Sequence, residues 1–193
     1  MTNSGQPSAA LAGSVAVLER AIAYALGSLA FVTPDALVRP TPCPAWDLRS
    51  LLEHLHDSMA ALQEAAETGC VTCLPPSVGG DLVALVRDRA VRLLGAWANA
   101  DGSATVRVDD QRVSAPVVAG TGAIEVAVHG WDVARACGHD RPIPDELADE
   151  LLDLSLVIIR ARDRPGRFAR PVPVPADVPP GVRLLAFLGR RPL

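Results

Sequence analysis

The sequence contains no lysine, so all 18 of its basic residues are arginine. With so much Ala, Val, Pro and Gly, this bias is typical of a GC-rich genome and carries no information about the fold. Acidic residues outnumber the arginines by 22 to 18, which leaves a formal net charge of −4. A chain of this charge has no strong phosphate-neutralising field. The composition therefore argues against nucleic acid as a partner.

Long uninterrupted apolar runs are also lacking. The run at residues 21–30 is too short, and the segments around it are too broken by polar residues, to predict a membrane span. The first ten residues, MTNSGQPSAA, have neither the basic segment nor the continuous apolar core of a signal peptide. We therefore expect a cytoplasmic protein with no membrane partner.

Cysteine is sparse, with four residues in the chain: Cys43, Cys70, Cys73 and Cys137. Disulfides are not expected in a cytoplasmic protein. The pair Cys70 and Cys73 forms a CxxC motif, which is typical of half a zinc site or of a redox pair. No second CxxC, nearby histidine or βαβ pattern completes either of these sites. The motif is therefore not expected to carry the function.

The apolar pattern predicts an all-α fold. A single domain is expected over residues 1–193, because the chain has the length of one domain and 49% hydrophobic residues. Four long helices form the predicted bundle, with a fifth helix, a short C-terminal helix and a small β-hairpin as additions. The helices are expected at residues 8–31, 47–69, 81–99, 115–137, 144–159 and 182–189. The hairpin is expected around Asp109 and Asp110, where apolar and polar residues alternate.

The stretch EVAVHGWDVARACG, residues 125–138, places two polar side chains inside an apolar helix. Glu125 and His129 are four residues apart, so their side chains point the same way with Cβ atoms roughly 5–6 Å apart. This spacing suits two ligands of one metal ion, and it equally suits a plain hydrogen bond between the two side chains. A carboxylate in an apolar helix needs a cation or a proton, which favours the metal.

A second candidate ligand lies on the predicted second helix. His54 follows Leu51 and Leu52, so we expect it to face the core, whereas His56 lies about 200° further round the helix and should face solvent. His139 follows Gly138 in a turn. His54 and His129 are therefore the two histidines that we expect to meet inside the bundle.

Two imidazoles and one carboxylate are the ligand count of a catalytic zinc site, which keeps a fourth position open. Iron and nickel accept the same ligands, so zinc is a preference. Asp132 lies on the same stripe of the helix as Glu125 and His129. It either orients an imidazole by a hydrogen bond, without touching the metal, or pairs with Arg135 on the helix surface. The sequence leaves both roles open.

The two motifs TPCPAWDLRSLLEHL and EVAVHGWDVARACG, in this order, resemble the mycothiol-dependent maleylpyruvate isomerase-like proteins. These belong to the DinB/YfiT superfamily of metal-binding four-helix bundles. The ending RFARPVPVPADVPPGVRLLAFLGRRP is similar to the short members, which lack an extra C-terminal domain. The resemblance implies a DinB-like bundle whose metal is held by His54, Glu125 and His129. Glu53 and Cys137 depart from the usual Asn and Thr of these motifs.

The resemblance also implies a function. It predicts a divalent metal, preferably zinc, that activates a low-molecular-weight thiol for attack on a small electrophile, as in an S-transferase or an isomerase. Mycothiol is the thiol that suits the GC-rich background. The alternative is a non-catalytic metal-binding bundle with a regulatory or ligand-binding role, and a plain structural bundle is the third hypothesis. A homodimer is compatible with all three.

Overall fold

The computed structural model describes residues 8–44, 46–72, 80–100, 105–164 and 168–192. Within this part of the chain, helices dominate and the strands are short. The helices are α1 (Ala9–Ser28), α2 (Leu48–Thr68), α3 (Leu82–Ala98), α4 (Ala115–Ala136), α5 (Asp145–Ile158) and α6 (Pro180–Phe187). The strands are β1 (Cys70–Val71), β2 (Thr105–Val108) and β3 (Gln111–Ser114). The predicted all-α bundle with a small hairpin is confirmed, and each helix ends within three residues of its expected bounds.

Helix α2 begins and ends at residues whose chemistry explains its bounds. The carboxylate of Asp47 accepts a hydrogen bond from the backbone N–H of Ser50 at 2.8 Å, which satisfies one of the free donors of the first turn. Gly69 ends the helix in the left-handed conformation, with φ of 67°. These two residues set where His54 lies along the bundle.

Helix α4 is the central helix of the bundle. It packs along α1 on one side and along α2 on the other, while α5 covers part of the remaining surface. Most of its residues from Ala115 to Ala136 are therefore buried, including His129 and Asp132. Glu125 is only half-buried. The arrangement brings the middle of α4 against the middle of α2.

Helices α1 and α4 approach each other closely at Gly130. A Cβ atom added at this position would lie 2.9 Å from the Cα of Ala25 and 3.2 Å from Cδ1 of Tyr24. Backbone atoms cannot move aside as a flexible side chain can, so any larger residue must push the two helices apart. The glycine next to His129 is therefore a packing requirement.

We expect Gly130→Ala to lower the free energy of unfolding by about 1–2 kcal/mol, because overpacking outweighs the gain in helix propensity. Gly95→Ala is the matched control, since a Cβ atom there meets nothing within 4 Å inside α3. This control should instead stabilise the protein by up to about 1 kcal/mol. Urea unfolding of both variants measures the difference. Two shifts of the same sign would contradict the close approach of α1 and α4.

The small sheet contains one strand that the sequence did not predict. The hairpin of β2 and β3 is confirmed, with Val108 paired to Gln111 and Asp109 in the left-handed region at φ of 52°. Strand β1, directly after α2, pairs in parallel with β2. Two residues are too short for a periodic signal, so only the packing of the hairpin against the end of α2 reveals this strand.

The prediction that His56 faces solvent is wrong. His56 is buried, because α3 packs over that face of α2. Its Nδ1 lies 3.1 Å from the carboxylate of Asp57, and its Nε2 accepts a hydrogen bond from Arg89 of α3 at 3.4 Å. The contact with Arg89 places this imidazole on the side of α2 that faces α3.

Helix α1 is more apolar than the sequence analysis allowed. Together with the 3₁₀ turn that follows it, the segment Ala9–Phe31 is long and apolar enough to cross a membrane by length and composition. Its apolar stripe, including Leu18, Ile22 and Leu29, is buried in the protein core. Core helices of soluble proteins pass the same test, so this property is weak evidence for a membrane span.

Tyr24 ties α1 to the segment between α4 and α5. Its hydroxyl donates a hydrogen bond to the backbone carbonyl of Arg141 at 2.6 Å, and the guanidinium of Arg141 donates to the carbonyl of Tyr24 and to Ser28. The guanidinium carbon also lies 4.3 Å from the ring centroid. Burial raises the pKa of Tyr24 to about 12, although the nearby guanidinium opposes the shift.

We expect the protein to lose stability between pH 10 and pH 12. The folded state keeps the proton of Tyr24 in this range while the unfolded chain releases it, so a pKa raised from 10.0 to about 12 contributes stability below pH 10 that disappears as the pH rises. The loss amounts to about 2–3 kcal/mol. Because the chain has a single tyrosine, phenolate absorbance reports its titration directly.

Tyr24→Phe should show a smaller loss over the same range. A phenolate that titrates near pH 10 in the folded protein would contradict this assignment.

Candidate metal centre

Helices α2 and α4 bring three donor groups together. His54 lies in the second turn of α2, and Glu125 and His129 follow each other one turn apart on α4. Their donor atoms all lie within 4.8 Å of one another. The geometry thus unites the three residues that the sequence analysis selected, and their role as metal ligands stays a prediction.

A single carboxylate oxygen joins the two imidazoles. Oε1 of Glu125 lies 2.6 Å from Nε2 of His54 and 3.0 Å from Nε2 of His129. The imidazole rings meet edge to face, with centroids 5.1 Å apart. Both Nε2 atoms therefore point at the same place, which is the requirement for two imidazoles that share one cation.

In this cluster, the carboxylates and the imidazoles each favour the charged form of the other. Burial by itself would raise the pKa of Glu125, but the charges and hydrogen bonds of His129 and His54 outweigh burial and hold the pKa well below its usual range. Burial by itself would lower the pKa of His129, and the carboxylates of Glu125 and Asp132 outweigh it and raise the pKa. Without a metal, both ring nitrogens of His129 can donate to carboxylates. A metal ion would take the place of the Nε2 proton.

One side of the donor cluster is open to solvent. The side chains of His54 and Glu125 keep 35% and 29% of their surface exposed, whereas His129 keeps only 6%. The indole of Trp46 packs beside the cluster, with its centroid 4.5 Å from that of His54. Oγ of Ser58 lies 3.4 Å from Nε2 of His54. The cluster can therefore be reached from solvent on its exposed side.

The donor set fits a zinc ion. Two imidazoles and a carboxylate are common zinc ligands, and two ligands about 2.1 Å from zinc lie roughly 3.4 Å apart in a tetrahedral site. The observed separations from Oε1, 2.6 and 3.0 Å, are shorter by less than 1 Å. Small side-chain rotations would therefore accommodate the ion. The same set accepts iron or nickel.

Asp132 lies behind His129, away from the other two donors. Its side chain is fully buried, and its Oδ2 accepts a hydrogen bond from Nδ1 of His129 at 3.0 Å. The alternative pairing with Arg135 is not seen, because Arg135 lies 3.7 Å from Asp140 on the surface. Burial by itself would raise the pKa of Asp132. The hydrogen bond from His129 and the charge of Arg190 outweigh burial, so the pKa is lowered.

Two residues that the sequence analysis did not select complete this network. Arg190 donates to Oδ2 of Asp132 at 2.7 Å and, through Nε, to Oδ1 at 3.3 Å. The same guanidinium lies 3.0 Å from the sulfur of Cys43, whose thiol lies 3.5 Å from Asp132. The connector before α2 and the segment after α6 gave no periodic or spacing signal for these contacts.

The atoms of Cys43, His129 and Asp132 form a second group of donors within 4.8 Å of one another. Arg190 already provides the positive charge next to this group, at 2.7 Å from Asp132. A divalent cation there would be repelled by the guanidinium. The His54 side of His129 is therefore the better metal position.

In this helical bundle, facing helices direct two imidazoles and a carboxylate toward one point. This is the architecture of the DinB-like class. The comparison with known families narrows this class. The family model of the mycothiol maleylpyruvate isomerase N-terminal domain matches residues 18–134. The chain belongs to this family, so the predicted membership is confirmed. Membership indicates a mycothiol-related, metal-binding function with a low-molecular-weight thiol as a partner.

Two curated relatives extend the similarity beyond the matched region. Both are uncharacterised proteins of Mycobacterium tuberculosis, one from strain CDC 1551 / Oshkosh and one from strain H37Rv. Each is 33% identical to this chain over 165 residues, which is 84% of this chain and 89% of the relative. The similarity therefore covers most of the bundle and its additions.

Proposed function

We propose that this protein binds a divalent metal, preferably zinc, through His54, Glu125 and His129. In this proposal the protein is a cytoplasmic enzyme of one domain that transfers a low-molecular-weight thiol, mycothiol, to a small electrophile or isomerises the electrophile with the help of that thiol. When bound, the metal would hold the thiol sulfur as a thiolate and so make it nucleophilic.

The observation that carries the proposal is the geometry of Glu125. One of its oxygens lies within 3.0 Å of the Nε2 atoms of both histidines, on a cluster that is exposed on one side. A closed hydrogen-bonded core would have no such exposure. The exposed side supports a role in which a small molecule reaches the donors from solvent.

The chain's own residues have separate tasks in this proposal. His54, Glu125 and His129 would hold the ion, and Asp132 keeps the ring of His129 in place through Nδ1. Trp46, packed against His54, would help to shield a bound ion from water. Ser58 lies next to His54, where its hydroxyl can orient a polar group of the incoming molecule. No separate general base is assigned.

A non-catalytic metal protein is the second candidate, and the position of a surface cavity favours it. A cavity of about 500 Å³ lies between α2 and α3, lined by residues that include Gln63 and Arg92. Gln63 is nine residues beyond His54, or about 13–14 Å along the helix axis. A ligand in that cavity would not contact the ion. Metal binding would then serve stability or regulation.

Metal analysis followed by a thiol-consumption screen tests the proposal. Freshly purified protein should contain close to one divalent metal per chain. The metal-loaded protein should then consume mycothiol in the presence of at least one small electrophile, and the metal-free protein should not. Bound metal without thiol consumption across the screen would favour the non-catalytic candidate. Protein without metal affinity would contradict both.

A further inference from the structure

The segment after α6 returns to the metal centre through a turn that requires glycine. Gly189 has φ of +84°, and a Cβ atom there would lie 2.6 Å from the Cβ of Ala169 and 2.9 Å from its backbone. The backbone N–H of the next residue, Arg190, donates to the carbonyl of Leu185 at 2.8 Å. This helix-ending turn directs Arg190 back toward the bundle instead of into solvent.

Arg190 ends in a nearly buried position, with 11% of its side chain exposed. Its guanidinium contacts both oxygens of Asp132, at 2.7 and 3.3 Å, and a two-point contact of this kind fixes the plane of the carboxylate. The carboxylate so fixed accepts the hydrogen bond from Nδ1 of His129. A continuous chain of contacts therefore links the C-terminal segment to a candidate metal ligand.

We propose that Arg190 is a positioning residue for His129. It neutralises the buried carboxylate of Asp132 and holds it in the orientation in which Nδ1–H of His129 is the donor. Nε2 of His129 is then directed toward Glu125 and His54. The inference rests on the proposed metal site, and it extends that site to a residue far outside the matched region 18–134.

The physical reason lies in the burial of Asp132. A fully buried carboxylate needs a positive partner, and the guanidinium of Arg190 supplies it at 2.7 Å. Without Arg190, the carboxylate of Asp132 is no longer held in one plane, and Nδ1 of His129 loses a fixed acceptor. Arg190 thus fixes the orientation of the His129 ring through Asp132.

Zinc dissociation constants, measured by chelator competition, test the inference. Arg190→Gln should weaken zinc binding by about 10- to 100-fold, because Asp132 then no longer holds His129 in place, and losing the hydrogen-bonding partner of a ligating histidine usually has an effect of this size. Arg190→Lys keeps the charge but loses the two-point contact, so its effect should be intermediate. The Co²⁺-loaded Arg190→Gln protein should also show a shifted visible absorption spectrum, because the spectrum reports the arrangement of the ligands.

The control is Arg183→Gln on α6, the helix that precedes Arg190. Arg183 pairs with Asp149 of α5 at 2.9 Å, so it joins α6 to the bundle without contacting the metal centre. The zinc affinity of the Arg183→Gln variant should match that of the wild type. Equal losses in Arg183→Gln and Arg190→Gln would mean that Arg190 only docks α6, and would overturn the inference.

A double-mutant cycle shows whether Arg190 acts through Asp132. Asp132→Asn should weaken zinc binding to a similar extent, and adding Arg190→Gln should then cause little further loss. Additive losses would overturn the inference. The double variant carries no unpaired buried charge, so it and Arg190→Lys provide the test if Arg190→Gln alone does not fold.

The outcomes separate the inference from the proposed function. Wild-type protein that binds no zinc removes the metal site, and the inference falls with it. Wild-type protein that binds zinc, with unchanged affinity in Arg190→Gln, leaves the metal site intact and overturns only the role of Arg190.

Discussion

Replacing His129 by alanine is expected to weaken zinc binding by about two to three orders of magnitude. Protein zinc sites with four ligands have apparent binding free energies of about 10–16 kcal/mol, so one ligand contributes about 3–4 kcal/mol. His129 is the most buried of the three candidate ligands, at 6% side-chain exposure, and solvent cannot readily replace it. Metal analysis of the purified variant and chelator competition measure the loss.

His139→Ala is the matched control for this prediction. His139 is exposed and stacks on Phe31, with ring centroids 3.9 Å apart, outside the donor cluster. Its removal should leave about one metal ion per chain. If both variants retain the metal equally, the site is not at His129. Circular dichroism of the two variants checks that any loss of metal does not reflect an unfolded bundle.

Mycothiol is expected to bind the metal-loaded protein at least about 100-fold more tightly than the metal-free protein. Three protein ligands leave the ion short of a complete set, and a soft thiolate fills the remaining position better than water does. A coordinate bond that contributes about 3 kcal/mol corresponds to this factor. Calorimetry on the two forms of the protein measures both affinities directly.

The pH dependence of this binding gives an independent check. Binding as thiolate releases the thiol proton, so the affinity should rise about tenfold per pH unit below the pKa of the free thiol. Above that pKa, near 8.5 for an ordinary thiol, the affinity should level off. The control ligand is S-methyl mycothiol, which has no proton to release and should bind weakly at every pH. Equal affinity for the metal-free protein would leave the non-catalytic metal protein as the better hypothesis.

The sequence predicted the local structure because its signals are local. Asp47 begins α2 through a hydrogen bond to its first turn, and Gly69 ends the helix through its left-handed backbone conformation. Both features involve residues a few positions apart, and the structure has both. The spacing of Glu125 and His129 places them on one face of α4 by helix geometry alone. The apolar stripe of α1 follows from the same period. The prediction that His54 lies next to this face of α4 followed from the expectation that the apolar faces of helices pack together.

The tertiary structure decided the features that depend on which elements pack together. His56 is buried because α3, not solvent, covers that side of α2, and the period of α2 cannot tell a face covered by a second helix from an exposed one. Strand β1 exists because β2 lies beside it. The sequence of α2 does not reveal that α3 covers His56, and the sequence of β1 does not reveal that β2 lies beside it.

The same division applies to the candidate site. The three donors follow from spacing, core-facing position and family resemblance, which the sequence contains. Asp132 was left between two roles, and only the positions of Arg190 and Arg135 in space distinguish them. Arg190 is 58 residues from Asp132 in the chain. Such a contact depends on how α6 packs and on the turn at Gly189, and these are properties of the folded molecule rather than of any one stretch of sequence.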